Sequence, residues 1–183
     1  MSFGRDAAAQ WARIRPNKGV MCMNEEHRKI KESIIAWAQY VHWADINIER
    51  FLELNDDVAD SIKIAISAQW LASEYVALEG WINLNEKCFK IEEIINRNPE
   101  WVDIMRRYRN AVYHFQKKPL DKRLLLFNKD PARIFWAAEL HKAFLQYLID
   151  YPNKIYPIEH RKEEFIQMYY SLIGWTPNII KST

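Results

Sequence analysis

The chain has 183 residues, 26 Lys+Arg against 24 Asp+Glu, 49% apolar and 14% aromatic side chains, and 8 Trp. That is one domain's length with apolar mass enough for a core, which excludes a disordered chain; only 4 glycines disfavour folds built on many tight turns. No stretch reaches the roughly 18 unbroken apolar residues of a membrane span, and Arg5, Asp6, Arg13 and Arg15 interrupt the N-terminus, so a cytoplasmic chain with no membrane partner is expected.

Residues 1–24 read as an N-terminal tail, with Pro16 and Gly19 limiting any helix there. Over 25–54, Ile30, Ile34, Trp37, Ala38, Val41, Ala44, Ile48, Phe51 and Leu52 recur at steps of three and four, which predicts a long amphipathic helix. "NDD" at 55–57 breaks it and offers a cap for a second helix near 57–84. A shorter helix is expected around 86–96. "NPE" at 98–100 starts the next, with Asn98 as cap, Pro99 in the first turn and Glu100 at the positive end of the dipole; it is expected to run to about 116. Residues 120–129 read as a loop or short helix. "DPA" at 130–132 opens another helix ending near Tyr151-Pro152, and a last one spans roughly 158–173. No strand pattern competes. The expected fold is an all-α, single-domain bundle of about five helices over residues 25–183. Cys22 and Cys88 have neither metal-type nor redox-type spacing and read as reduced thiols.

The small net charge hides an asymmetry. Residues 19–104 hold 8 Lys+Arg against 16 Asp+Glu, whereas 105–142 hold 10 against 3. A basic segment can attract a polyanion; it can equally be a solvated face balancing an acidic neighbour. It begins at "MRRYRNAVYHFQKK", residues 105–118. On a helical wheel, Trp101, Ile104, Met105, Ala111, Val112 and Phe115 fall within about 60° of Tyr108 and form a core stripe. Asp103, Arg106, Asn110, Tyr113 and His114 take the opposite side, with Arg109 at the edge, and Asn110 and His114 are an i,i+4 pair able to touch. The cluster is therefore a second, polar face on a helix whose first face is buried.

"RNAVYH", residues 109–114, resembles the hallmark of HEPN domains: an Arg, often followed by a polar residue, with a His five to seven positions on. The resemblance spans the helical body, roughly 25–173, and its specific content is six residues. It implies a small all-α bundle that commonly dimerises, and in many members a metal-independent ribonuclease serving as a toxin, defence factor or RNA-processing enzyme. Some HEPN toxins carry a tyrosine two positions after the His; here Gln116 stands there, so regulation through that tyrosine is not expected.

The residue types suit the chemistry. RNA supplies its own nucleophile, the 2′-OH. A histidine titrates near neutral pH and serves as acid or base, and an arginine fork matches phosphate oxygens. His114 is assigned to acid/base work, Arg109 to transition-state charge and Asn110 to orientation; Arg106, Lys117 and Lys118 are candidates for phosphate contacts. Cleavage has two proton-transfer roles and each chain one such histidine, so a homodimer is expected to supply both. The expected partners are RNA, a second copy and a neutralising antitoxin. No residue grouping has metal-ligand spacing and no glycine-rich phosphate loop is present, so neither metal nor cofactor is expected.

The plainer readings stand beside these. His114 reads equally as an exposed or interface histidine, and the same polar face suits a non-catalytic dimer binding RNA, nucleotide or protein. A helical adaptor with a merely basic surface is a third reading. His141 lies on the stripe of Ile134, Ala138, Leu145 and Leu148 and reads as a satisfied core or interface histidine, as does His42. Glu74 and Glu79, on a mostly apolar helix, are in position to face the cluster.

Overall fold

The computed structural model describes residues 25–117, 121–155 and 169–170, with side chains described from residue 32 to 154 outside the gap and at 169–170. Six helices are present among them: α1 Glu25–Leu52, α2 Asp60–Leu84, α3 Phe89–Arg97, α4 Pro99–Tyr113, α5 Lys122–Asn128 and α6 Pro131–Ile155. No described residue is in a strand, so the fold is all-α. The chain divides into two compact units, residues 1–32 and 33–183. Nearly all of the first lies outside the described residues, as does the helix expected at 158–173 apart from the helical pair Tyr169 and Tyr170. The second unit holds the core.

Several ends differ from the sequence expectation. α2 starts at Asp60 with Ala59 before it, so Asn55, Asp56 and Asp57 do not cap it. Asn98 precedes α4 without a side-chain capping bond, whereas Pro99 and Glu100 stand in its first turn as expected. Asp130 does cap: its Oδ1 accepts from the Ala132 N–H at 3.0 Å. α6 runs through Pro152 to Ile155 instead of stopping there. α4 ends at Tyr113, and Phe115, expected in the core stripe, is 93% exposed. Met105, Tyr108 and Ala111 are the buried residues of α4, while Trp101 and Val112 are half-buried against the core.

The core is aromatic. Trp37 of α1 packs on Trp81 of α2 (centroids 5.4 Å) and Phe144 of α6 (5.3 Å), and its Nε1–H donates to the Ala77 carbonyl at 2.7 Å. Tyr108 of α4 meets Phe127 of α5 at 5.4 Å, and Trp136 of α6 donates from Nε1 to the Ile94 carbonyl at 2.9 Å. α2 packs along α4, which in turn carries α5. Gly80 sets how closely α1 and α2 approach: a Cβ there would lie 2.7 Å from Trp37 Cδ1. That indole is 2% exposed and tied to Ala77, so it cannot yield. Ala is the better helix former by about 1 kcal/mol, but overpacking costs typically 1–3 kcal/mol. Gly80→Ala is therefore expected to lower the melting temperature by a few degrees, and a rise in a thermal melt would contradict this packing.

Candidate functional site

α4 presents the motif, and α2 fixes half of it. Arg109 is partly buried, its guanidinium 5.1 Å from the centroid of the Tyr75 ring. Nη1 donates to Asn110 Oδ1 at 3.0 Å, and Nη2 faces Glu79 Oε2 at 3.3 Å and Oε1 at 3.5 Å. Those last distances are long, so the pair is a loose one and its contribution to stability is below about 1 kcal/mol. Arg109 Nε is buried with no acceptor among the described residues. Burial first, then the Glu79 carboxylate, raises the Tyr75 phenol above the ordinary range. The guanidinium is held in place with about a quarter of the side chain exposed, 26%.

His114 is the first residue past α4. Its backbone is extended (φ −113°, ψ 135°), its N–H donates to the Asn110 carbonyl at 3.2 Å, and its side chain is exposed. Among the described residues no hydrogen bond joins its imidazole to Arg109 or Asn110. The i,i+4 relation of Asn110 and His114 is thus carried by the backbone bond that closes the helix, with no side-chain hydrogen bond between them. Gln116 organises the exit instead: its amide donates to the His114 carbonyl and accepts from Arg123, which Asp121 holds through Oδ1 at 2.7 Å. Tyr113, 52% exposed, reaches Gln69 of α2 at 3.4 Å.

The other predicted phosphate contacts fare differently. Arg106 and Arg107 both close on Asp103, at 2.7 and 2.6 Å, and the hydrogen bond from Arg106 holds that carboxyl below its ordinary range. Arg106 thus reaches a phosphate only by leaving an acidic partner. Lys117 is exposed; Lys118 lies outside the described residues. Of the two glutamates weighed for this face, Glu79 joins it and Glu74 does not.

Glu74 belongs to a second cluster. His141 of α6 sits between Glu74 Oε2, 2.7 Å from Nδ1, and Asp45 Oδ1 of α1, 3.1 Å from Nε2. The histidine is 2% exposed and Glu74 fully buried. Burial opposes the imidazolium, but the Glu74 and Asp45 carboxylates outweigh it and raise the imidazole from 6.5 to about 10. The reading of His141 as a satisfied core histidine holds, with a charge the periodicity did not reveal. Asp45 was missed, although it shares the α1 stripe with Val41 and Ile48. Among the described residues no three His, Cys, Asp or Glu are grouped to hold a metal ion. None of their helices is long and apolar enough to cross a membrane.

Compared with family models, curated proteins and solved structures, the chain matches none.

Proposed function

We propose that the chain is a metal-independent RNA endonuclease of the HEPN type, acting as a homodimer in the cytoplasm. One observation carries this reading: a half-buried arginine and an exposed histidine leave the same end of α4, one held by Tyr75 and Asn110 and loosely by Glu79, the other open to solvent. The first suits the charge that develops on a phosphate, the second a proton transfer. The 2′-oxygen attacks phosphorus as His114 takes its proton, the bond from phosphorus to the 5′-oxygen breaks, and the leaving oxygen is protonated by a second acid. A second copy supplies that acid, the other His114, if the two α4 ends face one another across a two-fold axis. The exposed Tyr113 and Phe115 beside the motif give such a contact apolar area. A toxin or defence factor restrained by a neutralising protein fits this activity.

A non-catalytic binding role is the second reading. It is favoured by the engagement of Arg109 with Glu79 and by an imidazole that no described side chain orients. RNA incubated in excess EDTA separates the two readings. Light scattering after size exclusion tests the assembly. A mass near twice the chain's 22.0 kDa is expected at tens of micromolar, and a strict monomer would remove the source of the second acid.

A further inference from the structure

A groove of ≈ 410 Å³ runs between α1 and α2, lined by Ser33, Trp37, Tyr40, Glu79, Gly80 and Asn83. Its floor is apolar: Gly80 packs against the buried Trp37, with Ala36, Val76 and Leu84 beside it. Tyr40, 40% exposed and braced edge-on by Trp43 at 5.3 Å, offers an aromatic face on one wall. The opposite wall carries Glu79, the same carboxylate that pairs with Arg109. Groove and motif thus share a residue and form one continuous surface.

The chemistry of that surface is selective. It has one anionic acceptor and an apolar floor, so a phosphate is repelled from it and a flat neutral ring is not. Every base can stack on an aromatic face, but the bases differ at their edges. A carboxylate has two oxygens and no donor when ionised. Guanine alone presents two adjacent donors, N1–H and N2–H, to match it. Adenine and cytosine set a ring acceptor beside the amino group, and uracil flanks its single N–H with two carbonyls. Glu79 already accepts from Arg109 on both oxygens, but a carboxylate offers about four lone-pair sites, which leaves one on each oxygen, and the Arg109 distances are long.

We propose that the α1–α2 groove is a guanine subsite: the base stacks on Tyr40 and its N1–H and N2–H edge bonds to Glu79. This deepens, and rests on, the RNA reading of the Arg109 motif, since the phosphate at Arg109 then belongs to a neighbouring nucleotide of the same strand. Cleavage should fall next to guanosine.

Binding is measurable without cleavage. Calorimetric titration of the full chain with GMP, IMP, AMP, CMP and UMP should show GMP tighter than each of the others by about tenfold, the size of a bidentate base contact. IMP, which lacks only the N2 amino group, is the sharpest comparison. Tyr40→Ala should weaken GMP by about tenfold or more through lost stacking. Glu79→Gln, which turns one acceptor into a donor, should erase the preference of GMP over IMP. GMP binding with these responses supports the subsite even if no RNA is cut. Equal affinities for GMP and IMP, or a GMP affinity unchanged in both variants, overturns it even if RNA is cut.

Discussion

His141→Leu is expected to cost the fold about 3–5 kcal/mol, against a total stability of roughly 5–15 kcal/mol for a domain. The substitution leaves Glu74, fully buried, and Asp45 without their shared counter-charge. Removing one partner of a buried ionic set is far worse than removing all, because the orphaned charge keeps its desolvation penalty. A triple variant, Asp45→Leu with Glu74→Leu and His141→Leu, should therefore regain much of what the single variant loses. Urea unfolding at neutral pH measures both; a single variant with an unchanged midpoint would contradict the charged cluster. The wild-type chain should also respond to alkali. Its folded imidazole titrates at about 10, above the ordinary 6.5, so its contribution is complete below pH 6.5 and erodes as pH rises towards 10. The loss across that window is on the order of 5 kcal/mol. The triple variant should lack this slope, which separates His141 from tyrosines and lysines titrating in the same range.

The helices were legible where local chemistry sets them. Pro99 and the Asp130-Pro131 pair start α4 and α6 as expected, and the apolar steps of Trp37, Val41 and Ala44 place the buried side of α1. The end of α4 was not legible. No glycine or proline stands at 114–117, and what draws the chain out of the helix is tertiary, the link from Gln116 to Arg123 and Asp121. Phe115 followed the wheel on paper and solvent in the structure. The polar face of α4 was legible, since Arg109 at the edge of the stripe is where a half-buried arginine belongs. Its partners were not, because Tyr75 and Glu79 lie on another helix, and spacing along one chain says nothing about which turn of α2 meets α4. The buried charge set left a trace that periodicity alone does not weigh: Asp45, Glu74 and His141 each occupy an apolar stripe, and three ionisable groups in core positions must find one another.

The motif should separate activity from stability. His114 is exposed, and exposed substitutions away from special features stay within about ±0.5 kcal/mol of the parent. Arg109 loses a loose ion pair and a ring contact, so Arg109→Ala should cost the fold no more than about 1–2 kcal/mol. The effects on cleavage should be much larger. Losing the general acid or base costs typically 10²–10⁴-fold in rate. Losing a preorganised charge at the transition state costs about 10²–10³-fold. Arg109→Lys keeps the charge without the fork, so it should recover only part of the loss. In the proposed mechanism both histidines serve in each dimer site, so mixing wild-type and His114→Ala chains should lower activity by more than dilution does.

The measurement that bears most directly on the proposed activity is end-mapping of RNA after incubation with the purified chain in excess EDTA, beside matched DNA and the His114→Ala variant. The expected result is RNA fragments ending in 2′,3′-cyclic phosphate or 3′-phosphate, intact DNA, and a variant with its fold retained and its cleavage reduced at least about a hundredfold. Cleavage that requires added metal, proceeds equally on DNA, or persists in the His114→Ala chain would contradict it.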